Sequence, residues 1–377
     1  MDREGGAAVQ LDIEQTGQAY VDERKGKELT LMIGLTQNGH RSVFAFRSPD
    51  AEYVALPDER TLYEIGSFSK IYTAALLSIL VSQNVLSLTD TIAGYFPDLQ
   101  LRPEVAEITV FDLATHTSGL SGDGVVLARM IADAVATGDP TRFTYYADYT
   151  KAHLDEELEA AELVRPRGSG WEYSRTGLSV LGHILEVASG ENFEALLKRH
   201  LCGPLGLVDT AYTLSPDQDS RLVRGYLEDG TTSPNWYWDI MLPQGGLRST
   251  MADMLTFIEA NLAQDDGELT AALRFAQETE FDWPAGSDPE KAPYGSTAAF
   301  RQAIGWWNLD QGHGPVSQHA GATMSYQSFG ALHRGSGTGL VALTSSAENL
   351  QDAMKFPQLA QRLIDSAVEQ ADTDRTV

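Results

Sequence analysis

One cysteine in 377 residues, Cys202, leaves no partner for a disulfide within the sequence and excludes a zinc site built from several thiolates. Its natural reading is a buried structural thiol. The eight histidines form neither an H-E-x-x-H pattern nor a close cluster, so no metal site is expected. Lysine is also scarce: it supplies seven of the 27 basic residues, which face 53 acidic ones for a net charge of −26. Such a surface repels phosphate backbones and anionic headgroups, which sets aside nucleic acid and membranes as partners. It keeps a protein in solution, and it also fits work at high salt, a reading that optimal activity at low salt would remove. No apolar run is long enough to cross a bilayer. The opening MDREGGAAVQ is acidic and polar where a secretory leader would be basic and then apolar, so the expected location is cytoplasmic. Internal repeats and low-complexity linkers are missing too.

What is present is the composition of a folded protein, 42% apolar and 21% charged. Residues 10–24 read as a first helix. ELTLMIGLT and RSVFAFR, joined through Asn38-Gly39, read as a β-hairpin. A strand at 61–65 leads into the helical pattern KIYTAALLSILVSQ. From about 85 to 285 the signals are mostly helical, with Thr109/Asp112 and Thr250/Asp253 as capping pairs and a break at Ser189-Gly190. Strand character returns after about 295, a last helix covers residues 352–370, and the final DTDRTV is expected to fray. Strands at both ends and helices between them predict an α+β fold. Its antiparallel sheet would be built from both chain ends and flanked by helices, with a mostly helical inserted domain. The boundaries read as 1–85 plus 290–377 for the sheet domain and 86–289 for the insertion, with a site between them.

At the junction of strand and helix stands Ser67-Phe68-Ser69-Lys70. Residues three apart on a helix share a face, so a hydroxyl at 67 and an amine at 70 can exchange a proton. The amine acts as a base only where burial or a neighbouring cation lowers its pKa. Taken alone, the four residues also read as a capped helix start. Tyr173, in GSGWEYSRTGL, and His319-Ala320-Gly321, in QHAGATMSY, read alone as a core tyrosine and an ordinary strand. His116, in THTSGL, reads as a structural residue at a helix end. Trp171, Trp236, Trp238, Trp306 and Trp307 read equally well as core or as pocket lining.

Together, LYEIGSFSKIYTAALL, ITVFDLATHTSGL, WEYSRTGLSVLGHILEVASG, LPQGGLRSTMADMLTF, AIGWW, HAGAT and GLVALTSS follow one another in the order found in the class C β-lactamase-like serine hydrolases. The resemblance spans residues 10–347 or so. The family includes β-lactamases, DD-peptidases, D-aminopeptidases, esterases and acyltransferases. It implies Ser67 as nucleophile, Lys70 as proton shuttle, Tyr173 as partner base made acidic by Lys70, and Ser69 as a bystander. It also implies an oxyanion hole from the N–H groups of Ser67 and Ala322, worth about 3 kcal/mol per donor. Gly321 would admit substrate beside the strand, His319 would shape the pocket, and no cofactor is needed.

Two departures bear on the substrate. The family's Tyr-x-Asn is here Tyr173-Ser174-Arg175, and its Lys-Thr-Gly is His319-Ala320-Gly321. Arginine cannot accept the hydrogen bond that the asparagine accepts from the lysine. Pointing inward, Arg175 would drive Lys70 towards neutrality and favour an anionic substrate. Pointing outward, it would leave the amide-binding contact missing. The resemblance thus implies an acyl-enzyme on Ser67 and favours an ester or amide of a small molecule or short peptide, esterase-like. The alternatives are acyl transfer, D-amino-acid peptidase or β-lactamase action on the same site, and a non-catalytic scaffold that kept the fold.

Overall fold

The computed structural model describes residues 3–137, 145–227, 229–283, 299–345 and 354–376. Strands β1 (Thr30–Gln37) and β2 (His40–Arg47) form the expected hairpin, with Asn38 and Gly39 both at positive φ in its two-residue turn. Near the other end of the chain, β5 (Ala299–Gln302), β6 (Trp307–Asp310), β7 (Pro315–Ala322), β8 (Gln327–His333) and β9 (Thr338–Ser345) run up and down. The two sets merge into one antiparallel sheet, in the order β2-β1-β9-β8-β7-β6-β5. The first strand of the chain therefore pairs with the last, Thr30 opposite Ser345.

Alternating residues send β1 into two apolar layers. Leu31, Ile33 and Leu35 pack with helix α1 (Arg3–Asp22) and the closing helix Lys355–Thr376, through Ile13, Phe356 and Leu363. Met32, with Val341 and Leu343, faces the helices Ser69–Ser82 (α2) and Met251–Leu262, through Tyr72, Leu255 and Ile258. The first helix begins earlier than residue 10. The closing helix runs to Thr376, through residues expected to fray, and the first two residues predicted for it lie outside the described ones. The predicted domain boundary at 289/290 also lies outside them.

Two elements depart from the sequence reading. The strand at 61–65, β3 (Leu62–Glu64), is not part of the large sheet: it pairs with a three-residue strand, β4 (Arg248–Thr250), inside the region read as helical. Helix α2 is buried from Ser69 to Leu80, the mark of a helix that packs on every side. No side chain caps its start, so the hydroxyl of Ser67 is not used as a helix cap.

Candidate active site

Ser67 sits in a single 3₁₀ turn, Gly66–Phe68, between β3 and α2. The turn is shaped by Gly66 at φ 49 and by the end of β7, which lies against it. A Cβ on Gly66 would come within 2.6 Å of the Ala322 nitrogen, and one on Gly321 within 2.0 Å of the Ile65 carbonyl oxygen. Only hydrogen fits at both places. The Ala322 backbone thus stands beside the residue preceding Ser67, and the Ser328 hydroxyl bonds the Ile65 carbonyl at 2.7 Å.

Lys70, the second residue of α2, is fully buried beneath the partly exposed Ser67. Its Nζ lies 3.0 Å from Ser67 Oγ, 2.7 Å from the main-chain oxygen of Gln244 and 3.1 Å from Gln244 Oε1. Among the described residues no carboxylate pairs with it. Burial first, then the positive charge of Arg175, hold its pKa well below the usual lysine range. Burial thus favours the uncharged amine, whose Nζ is ringed by the two Gln244 oxygens and Ser67 Oγ. Such an amine can take a proton from the serine hydroxyl.

Tyr173 is held by the 116–122 loop. The His116 carbonyl accepts from Glu172 N at 2.7 Å, the His116 ring accepts from Ser174 N at 3.1 Å, and the Gly122 carbonyl accepts from Arg175 N at 2.8 Å. His116 is thus a bracket for Tyr173, with its ring 4.6 Å away. The Tyr173 ring lies 5.0 Å from Lys70 Nζ, and Ser67 is close enough to act on its hydroxyl. The expectation of a phenol made acidic by Lys70 is reversed. Burial pushes Tyr173 up to about 12, against the lowering effects of Ser67 and of Arg175.

On the opposite wall, His319 of β7 stacks on Trp307 at 3.9 Å. Its Nδ1–H donates to the Ala320 carbonyl at 2.6 Å, and its buried Nε2 has no partner among the described residues. Burial brings its pKa down to about 3, so it stays neutral. Trp171 and Trp307 join the cluster around Tyr173, whereas Trp306 lies in the main core. Trp236 and Trp238 pack on Tyr146, at 5.0 and 4.2 Å.

Arg175 combines the two courses expected of it. Its guanidinium is one-third exposed and clamps the Asp123 carboxylate through Nε and Nη2. Its charge still reaches Lys70 and Tyr173, but its hydrogen-bonding edge is taken. The Ser69 hydroxyl is turned to a structural contact, accepting from Leu247 N at 3.1 Å. Sequence reasoning missed Gln244 and Asp123. Gln244 lay in a quoted stretch, LPQGG, in which only the glycines and proline carry a local signal.

The fold has counterparts among solved structures. Structures superpose over nearly the whole chain: a class C beta-lactamase mutant (TM-score 0.77, 17% identity, 97% of this chain and 99% of that one) and a beta-lactamase/D-alanine carboxypeptidase from Pseudomonas syringae (TM-score 0.73, 18% identity, 95% and 99%). At those identities the likeness is one of fold. A beta-lactamase of Lysobacter lactamgenus is 27% identical over 239 residues, 62% of this chain and 55% of that protein. AmpH of Escherichia coli, a D-alanyl-D-alanine-carboxypeptidase/endopeptidase, is 28% identical over 211 residues, 55% and 51%. The chain thus spans about half the length of these two relatives. Esterase EstB of Burkholderia gladioli is 28% identical over 301 residues, 76% and 67%. The family model described as Beta-lactamase matches residues 13–363, and the chain belongs to the beta-lactamase family.

Proposed function

We propose that the protein is a serine hydrolase that forms an acyl-enzyme on Ser67 and cleaves an ester or amide of a small molecule or short peptide, with esters favoured. One observation carries this reading: Ser67 Oγ lies 3.0 Å from a fully buried amine that has no counter-ion among the described residues. Lys70 takes the hydroxyl proton as Oγ attacks the substrate carbonyl. The oxyanion faces the N–H groups of Ser67 and Ala322. The intermediate then collapses, the bond to the alcohol or amine breaks, and the proton held by Lys70 passes to the leaving group. Tyr173, its phenol kept protonated by burial and its ring 5.0 Å from Lys70 Nζ, is a relay for that transfer and not the resting base. Water attacks the ester of Ser67 and loses its proton to Lys70, the new C–O bond forms, and Ser67 departs with its hydroxyl restored.

The ester preference is supported by Arg175, whose donors are committed to Asp123 where the family places an asparagine, and by His319 where it places a cation. A relative named as an esterase points the same way.

Burst kinetics with p-nitrophenyl acetate and butyrate, beside nitrocefin, on wild type and Ser67→Ala, with intact mass spectrometry, test the reading. The expected result is an ester burst and an acyl adduct, both lost in Ser67→Ala, with nitrocefin left intact. Turnover of nitrocefin would make β-lactam hydrolysis the activity, and faster release by an added alcohol than by water would make it acyl transfer. Absence of any adduct, fluorophosphonate included, would leave a scaffold.

A further inference from the structure

We infer that Gln244 is a positioning residue for the reaction: its side-chain amide aims the Lys70 amine at Ser67 through Oε1 and presents its free Nε2–H₂ to the substrate. This deepens the serine hydrolase reading and rests on it.

The case begins with how firmly Gln244 is held. It lies in a short turn, Leu242–Gly245, brought against α2 although 174 positions separate it from Lys70. Three contacts along α2 fix the turn. The Thr73 hydroxyl bonds the Pro243 carbonyl at 2.6 Å, Lys70 Nζ bonds the Gln244 carbonyl at 2.7 Å, and Leu247 N bonds the Ser69 hydroxyl at 3.1 Å. From the other side the helix Arg175–Ser189 presses on it at Gly182, where a Cβ would meet the Pro243 ring at 2.0 Å. Trp238 covers Gly245 and Gly246, with a Cβ at either coming within about 3 Å of its ring.

Within that clamp the amide has a fixed sense. A neutral lysine has two N–H donors and one lone pair. One donor goes to the Gln244 main-chain oxygen, and the second needs an acceptor, which Oε1 supplies at 3.1 Å. The third direction of Nζ is the one that meets Ser67 Oγ at 3.0 Å, so once the proton there is lost the lone pair faces the hydroxyl. Remove Oε1 and the amine is free to turn that lone pair away. The groups facing Lys70 otherwise are Arg175, His116, His319 and Tyr173, and none offers it an anionic oxygen.

The same amide has a second end. Nε2 is buried and has no hydrogen-bond partner among the described residues, in a side chain 1% exposed. A buried amide nitrogen left unpaired is costly unless something else meets it. It shares a carbon with the oxygen that holds Lys70, so a substrate carbonyl or ether oxygen seated at Ser67 is the acceptor within its reach. In this chain Gln244 thus takes up both contacts that Arg175, bound to Asp123, does not make.

Gln244→Leu and Gln244→Glu separate these roles from mere packing. Stopped-flow acylation by p-nitrophenyl butyrate, normalised to sites titrated by a fluorophosphonate, is measured across pH. Gln244→Leu keeps the volume and loses both polar ends. Its acylation rate is expected to fall roughly 10- to 100-fold, with a rise in the half-saturating ester concentration. Gln244→Glu places a carboxylate beside Lys70, favours the ammonium, and moves the acid limb of the rate profile up by about one to three pH units. Where Gln244→Leu yields too few titratable sites, the Gln244→Glu limb alone decides. An unmoved limb, or a Gln244→Leu rate within about twofold of wild type, overturns the inference. The ester burst of the wild type is untouched by that outcome, whereas a wild type without any burst removes the serine hydrolase reading itself.

Discussion

Lys70 and Arg248 are both cation-bearing side chains in the interior, each a few residues from a turn that builds the site, and they are kept in opposite ways. Arg248 sits on β4 directly across from Glu64 on β3, and the two are 4% and 3% exposed. Its Nη2 is 3.3 Å from the carboxylate, its Nη1 bonds the Tyr212 carbonyl at 3.0 Å, and the Trp236 carbonyl takes a further contact. Glu64 also accepts from Trp236 N at 2.9 Å. A guanidinium cannot shed its proton, so its burial demands a carboxylate and carbonyls. Lys70 has carbonyl and hydroxyl oxygens alone, and it can give up its charge. Equal burial is therefore met by a carboxylate and carbonyls in one place and, in the mechanism proposed above, by loss of the proton in the other. The counter-ion decides which.

Removing each side chain in turn should expose that contrast. The largest effect is expected from Lys70→Met, where acylation of Ser67 by p-nitrophenyl butyrate falls by about 10²- to 10⁴-fold. Stability does not fall with it. Lys70 sits below its unfolded value of about 10.4, so from its folded pKa up to that value the unfolded chain binds one more proton than the folded one. Wild-type stability, relative to Lys70→Met, then rises through that window by about 1.4 kcal/mol per pH unit. Urea melts of both proteins between pH 7 and 10 check this, and a constant difference would mean that the folded amine is charged.

Glu64→Leu should do the reverse. It strands the Arg248 charge in the interior and costs about 3–5 kcal/mol, most of it recovered when Arg248→Leu is added. Denaturant midpoints of the single and double variants report it. A cost below about 1 kcal/mol would show that Arg248 finds its compensation in the Tyr212 and Trp236 carbonyls instead.

The smallest effect belongs to Arg175→Gln. Its ion pair with Asp123 is one-third exposed, so stability should change by no more than about 1 kcal/mol. Loss of its charge lets Lys70 hold a proton to higher pH, and the acid limb of the acylation profile moves up by a fraction of a unit. Added salt should bring the wild-type limb part of the way there.

Much of this was legible in the sequence because it is local. The three-residue spacing of Ser67 and Lys70, the Asn38-Gly39 turn and the Thr109 and Thr250 caps all depend on neighbours a few positions away. Lys70 was also expected to need desolvation, which follows from chemistry alone. The remainder depends on contacts between distant segments. Gln244 meets Lys70 across 174 positions and Asp123 meets Arg175 across 52, and neither pair leaves a periodic trace. The strand β4 was hidden because three residues ahead of a helix cap carry no alternation to read. The raised pKa of Tyr173 escaped the reading because the aromatic packing around it comes from distant segments.

Cys202 carries a practical consequence of its own. The thiol is buried, and burial pushes its pKa up to about 12, so almost none of it is thiolate at neutral pH. The native chain is therefore silent to maleimides, and a cysteine introduced at exposed Tyr237, whose ring stands 5.5 Å from the Arg248 guanidinium, would be the one sulfur to take a fluorophore. The fold thus comes ready for a single-colour reporter near the Gln244 turn.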